Sequence, residues 1–170
     1  MSRGVVALAL STLVLVAAQI TLISPLRIGG VVVMVVWLWP LALSLTGSTA
    51  FAVAAGFVAG VLFDAHSAAP FALSGVVGAL IAGMISVLAR EGFGDLDAAA
   101  WLVPPLIGAL GGLLAPLLYV AVGMLTGNTS LWRASLWPMM LVNAAAFFVL
   151  IRPLSRGARW VADFGGWSRS

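Results

Sequence analysis

From Gly4 to Ile23 the chain runs for about 20 residues without a charge, the length a helix needs to cross the ~30 Å hydrocarbon core of a bilayer. Comparable apolar stretches follow, separated by short turns, through to the last fifth of the sequence. Lipid offers backbone amides no partners, so stretches of this kind bond internally as helices. Composition agrees. Of 170 residues, 63% are hydrophobic and 8% charged, whereas an ordinary soluble domain is about 25% charged. The expected fold class is an all-α integral membrane protein, a six-transmembrane-helix bundle over residues 1–153 with a cytoplasmic basic and aromatic tail at 154–170.

The first run has Arg3 before it, as a signal peptide would, but is longer than the ~7–15 residues of a signal core, so a retained span is expected. Gln19 near its far end reads as a hydrogen bond between helices. Span two is expected over Ile28–Leu45, with Trp37 and Trp39 as boundary anchors and Pro40 kinking or ending it. Span three is expected over Ala50–Phe63. Gly56, Gly60 and Asp64 recur every four residues along it, which keeps them on one side of a helix. Two glycines at that spacing let a second helix approach closely, and the carboxylate stands where the apolar run stops.

After Asp64-Ala65-His66-Ser67-Ala68-Ala69-Pro70 comes span four, Phe71–Leu88, with a ridge of Gly75, Ala79 and Gly83 that is expected to face span three or a shared neighbour. Arg90–Asp97 reads as a hydrated loop. Span five, Ala100–Leu125, opens with Pro104-Pro105, carries Pro116 in its middle and has a third ridge at Gly108 and Gly112. A polar loop from Thr126 to Ser135 leads to span six, Leu136–Ile151, which buries Asn143. In the tail, Arg152, Arg156 and Arg159 share a helix face beside Trp160, Val161, Phe164 and Trp167. That pattern suits a short helix lying on an anionic leaflet, ended by Gly165-Gly166, and equally a plain stop-transfer tail.

All eight basic residues are arginines. Six spans with both termini cytoplasmic put Arg3, Arg90, Arg152, Arg156, Arg159 and Arg169 inside and Arg27 and Arg133 outside, as the positive-inside rule requires. The absence of cysteine removes disulfides, thiol catalysis and thiolate metal sites. One histidine, His66, beside Asp64 does not make up the three or four ligands of a zinc site. No nucleophile motif, phosphate-cradling loop or nucleic-acid module is recognisable. No catalytic, cofactor or metal residue is therefore expected. Asp64 is expected to anchor the corner after span three, with N-capping of the following turn as one means.

The stretch GFVAGVLFDAHSAAPFALSGVVGAL, Gly56–Leu80, resembles the signature of the rod shape-determining protein MreD family. The family pattern has a glycine-bearing span ending in Asp, a short small-residue loop, and a span that begins with a small residue and leucine. Gln19 late in span one, Asn143 in the last span, and Arg152-Pro153 after it agree with that family, as does the chain length. The sequence departs from the pattern at Phe71-Ala72-Leu73, where a glycine is usual. The resemblance implies a non-enzymatic subunit of the cell-elongation machinery in the bacterial cytoplasmic membrane. Such a subunit binds MreC and acts with a RodA-type glycosyltransferase and its penicillin-binding transpeptidase in lateral peptidoglycan synthesis. The fold it implies is similar to the substrate-binding subunits of energy-coupling-factor transporters, which supplies an alternative, a vitamin-binding transport subunit. Few polar side chains (Gln19, Asp64, His66, Asn128, Asn143) are available to line such a pocket. The residues expected to form the structural and partner-binding motif are Gly56, Gly60, Asp64, Pro70, Gly75, Gln19 and Asn143, with the Gly60 ridge receiving a partner's helix.

Overall fold

The structure is a computed structural model, and it describes residues 3–46, 48–67, 70–91, 101–127 and 136–166. Loop residues 92–97, Asn128, Arg133, Trp167 and Arg169, all named above, lie outside them. The described chain is nearly all helical: α1 Arg3–Ala18, continued by a π-helical turn at Gln19–Ile23, then α2 Val35–Ser44, α3 Thr49–Asp64, α4 Leu73–Glu91, α5 Val103–Leu125 and α6 Leu136–Gly165. Two two-residue strands, β1 Arg27–Ile28 and β2 Val31–Val32, pair antiparallel between the π turn and α2.

Among the described residues three helices are long and apolar enough to cross a membrane: α1 with its π turn, α5 and α6. The other three are apolar but shorter. The expected second span shows why. Its first third is not helix, because Gly29 and Gly30 both take positive φ, +59° and +83°, and close a two-residue hairpin that pairs Ile28 with Val31. Left-handed backbone at both central positions is the geometry that matches the twist of paired strands, and glycine adopts it without steric cost. Ten residues of helix remain, about 15 Å by the rise per residue, or half a bilayer core.

That half-length helix is the hub of the fold. Every residue of α2 is buried, and it touches all five other helices. Trp37 and Trp39, expected at the membrane boundary, are instead 0% and 4% exposed. Trp39 Nε1 donates to Thr12 Oγ1 of α1 at 3.2 Å, so its polar edge is bonded inside the bundle. Pro40 does not end α2, which continues for four residues to Ser44. The Ser44 hydroxyl lies 2.9 Å from the Pro40 carbonyl and 3.0 Å from that of Ala82 in α4, tying α2 to α4.

Around α2 the remaining helices pair off, α3 most closely with α4 and α5 with α6. Both pairs use glycine. A Cβ on Gly108 would lie 2.6 Å from the Phe147 carbonyl oxygen, and one on Gly112 2.5 Å from that of Asn143. Backbones therefore touch directly along the α5–α6 seam, as small residues in apolar helices permit. The tail expected as a separate surface helix is the second half of α6, unbroken through Pro153. It buries Ser155, Ala158, Val161 and Ala162 and ends, as expected, at Gly165, with Gly166 at φ +70°.

Candidate functional site

The corner joining α3 to α4 is built from the residues the spacing singled out. Gly56, Gly60 and Asp64 are all buried on α3. A Cβ on Gly56 would sit 2.5 Å from the Gly78 carbonyl oxygen, and one on Gly78 would sit 2.6 Å from the Gly56 oxygen. The two glycines thus face each other reciprocally, an arrangement that suits weak Cα–H···O contacts between helices. At Gly60 the space is taken by the backbone of Ser74 and Gly75. The ridges of spans three and four do face each other, with one change of register. Gly78 makes the second contact on α4, in place of Ala79, while a Cβ on Gly83 would meet only Val53 Cγ2 at 3.8 Å.

The Gly60 ridge therefore packs against α4 of the same chain. It was expected to receive a partner's helix, but α4 of the same chain occupies it. Short loops force α3 and α4 together as antiparallel neighbours, and the closest available partner takes the bare backbone.

Asp64 completes the corner. Its carboxylate accepts the Ser74 backbone N–H at 2.7 Å and is 3% exposed. The last residue of α3 therefore satisfies one of the amides left open at the start of α4. His66 does not join it. Its ring is exposed, and Nδ1 lies 3.0 Å from the Leu62 carbonyl oxygen, where it closes the end of α3. Between the two helices, Pro70 accepts a bond from Leu73 N–H at 3.2 Å, and Ala72 stands at φ +67°, the only non-glycine residue with positive φ among those described. That left-handed backbone is the geometry glycine adopts without steric cost.

Gln19 and Asn143 meet at a second point, the buried start of α2. Met34 there offers no side-chain cap, yet the first amides of the helix need acceptors. Asn143 Oδ1 accepts from Met34 N–H at 2.8 Å, and Gln19 Oε1 from Val36 N–H at 3.3 Å. Each amide is held by its own donor group, Gln19 Nε2 to the Val33 carbonyl at 3.1 Å and Asn143 Nδ2 to that of Met139 at 2.8 Å. Both side chains are 0% exposed. Gln19 makes the hydrogen bond between elements that its depth predicted. Its target is the start of α2, buried by a hairpin that lies within an apolar run of the sequence.

Two external features complete the picture. A groove of about 570 Å³ runs between α1 and the second half of α6, with almost wholly apolar walls that include Leu10, Val14, Trp39, Trp160 and Phe164. At the start of α5, Arg152, Arg156 and Arg159 of α6 gather near Trp101. Among the described residues no cluster of His, Cys, Asp and Glu could hold a metal ion. Comparison with protein-family models, with curated proteins and with solved structures gives no match.

Proposed function

We propose that this chain is a non-enzymatic, multi-pass subunit of the bacterial cytoplasmic membrane, of the MreD type. In this reading it crosses six times with both termini cytoplasmic, the hairpin and α2 together serving as the second crossing. It binds an MreC-type partner and, through it, supports a RodA-type glycosyltransferase and its penicillin-binding transpeptidase in lateral wall synthesis.

One observation carries the proposal: both buried amide side chains and the buried carboxylate are engaged in building the bundle. Gln19 and Asn143 cap α2, Asp64 caps α4, and Thr12 and Ser44 tie α2 to its neighbours. A vitamin-binding subunit would need such groups turned toward a ligand, so this arrangement favours recognition between proteins over capture of a small molecule. Ala72 adds support, since its left-handed backbone lies in the stretch where the family pattern has glycine.

With the Gly60 ridge filled, two apolar grooves are open to a partner helix, one between α1 and α6 and one between α4 and α5, and the first is taken as the contact. A Cβ on Gly157 at its edge would meet nothing within 4 Å, so Gly157→Leu narrows the groove and leaves the bundle intact. Co-purification with the MreC-type protein of the same organism tests the reading. Wild type is expected to retain that partner and Gly157→Leu to lose it. Retention by the variant would move the contact elsewhere, while depleted cells that stay rod-shaped would overturn the function itself.

A further inference from the structure

The basic recess at the start of α5 differs chemically from the apolar grooves of the described surface. It holds about 290 Å³ and is lined by Trp101, Pro104, Arg152, Ser155, Arg156 and Arg159. Positions four and three apart on α6 place the three arginines on one side of that helix. Arg152 is fixed: it donates to the Trp101 carbonyl oxygen, and its guanidinium lies 5.5 Å from the centre of the indole ring. Arg156 and Arg159 are exposed, and none of the three forms an ion pair with a described carboxylate.

Three guanidinium groups around one concavity form a setting that favours an anion, and planar N–H forks match phosphate oxygens. What lies alongside narrows the kind of anion. One turn back on the same side of α6, Phe148 and Val149 are 41% and 67% exposed, an open apolar wall leading away from the charges. Trp101, 64% exposed at the rim, is the side chain that favours the boundary between headgroups and hydrocarbon. We infer that this recess seats the headgroup phosphate of one anionic phospholipid, whose acyl chains lie along Phe148 and Val149. Charge, boundary indole and apolar wall follow one another in the order that a phospholipid presents its own parts. The inference is independent of the proposed function and stands or falls alone.

Native mass spectrometry tests it on the full chain released from detergent micelles doped with equal phosphatidylglycerol and phosphatidylcholine. One phosphatidylglycerol is expected to remain bound. An arginine near an anionic surface is worth about 1 kcal/mol, roughly a fivefold change in affinity, so Arg156→Gln with Arg159→Gln should weaken retention about 25-fold. Arg27→Gln, on the hairpin outside the recess, should leave retention unchanged. The two glutamine changes are at exposed positions, and the matching lysine pair keeps the charge and should keep most of the binding. Equal retention of both lipids, or retention indifferent to the glutamine pair, overturns the inference. So does displacement by millimolar inorganic phosphate or by an acidic peptide, which would make the recess a site for a free anion or for a partner's acidic segment.

Discussion

Replacing Gly56 with alanine adds a single methyl group where α3 and α4 touch. That carbon would start 2.5 Å from the Gly78 carbonyl oxygen and 2.7 Å from its carbon, whereas ordinary contact begins at 3.4 Å. Both neighbours are backbone, so no side chain can swing aside, and the helices must part by about 0.9 Å. Overpacking of this kind costs about 1–3 kcal/mol. Alanine also favours a helix over glycine by roughly 1 kcal/mol, which would mask part of the cost. Gly83→Ala removes the ambiguity. It brings the same propensity gain, and its methyl group meets only Val53 Cγ2 at 3.8 Å. The difference between the two variants therefore isolates the packing term. Thermal unfolding of the detergent-solubilised protein reads it, at about 2–4 °C per kcal/mol for a chain of this size. Gly56→Ala should melt several degrees below wild type, with Gly83→Ala at or slightly above it. If the two variants melted together, the close crossing of α3 and α4 would be refuted.

Asn143→Leu should expose the Met34 amide as an unpaired buried donor and cost about 1–3 kcal/mol, read as faster hydrogen exchange at the start of α2. Asn143→Asp keeps the acceptor and should be milder. At the corner, Asp64→Asn retains an acceptor for the Ser74 amide and should melt closer to wild type than Asp64→Leu; equal loss in both would mean that the negative charge itself is required. Ala72→Gly should raise the melting midpoint, because left-handed backbone costs a non-glycine residue about 1–2 kcal/mol and the added freedom of the unfolded chain returns only about 0.4–1 kcal/mol of that.

How far the sequence could be read depended on which residues carried the signal. Gly56, Gly60 and Asp64 were legible because four-residue spacing on a helix converts directly into one face. Which helix would fill that face was not, since the spacing of small residues is silent about whether the occupant is internal or foreign. Gly29-Gly30 did carry the two-residue hairpin signature, yet it sat inside an unbroken apolar window, and hydropathy alone cannot separate helix from strand there. Losing the hairpin displaced everything that depended on it, including the burial of Trp37 and Trp39 and the role of Gln19 and Asn143 as caps. Aromatic residues near the end of an expected span look the same whether they meet headgroups or other helices. The arginines of α6 mark the start of a tail in the sequence, while Ser155, Ala158 and Val161 continue the buried face of the same helix.

The capping of α2 has a consequence for how the molecule is made. Asn143 lies 109 residues after Met34, so the ribosome has released most of the chain before that acceptor exists. Until the last helix arrives, the central element can be wrapped by its neighbours but not sealed at its buried end. Completion at the membrane is thus timed from the carboxyl-terminal side, and a nascent chain stalled before residue 143 should present an open middle to the quality-control proteases of the bilayer.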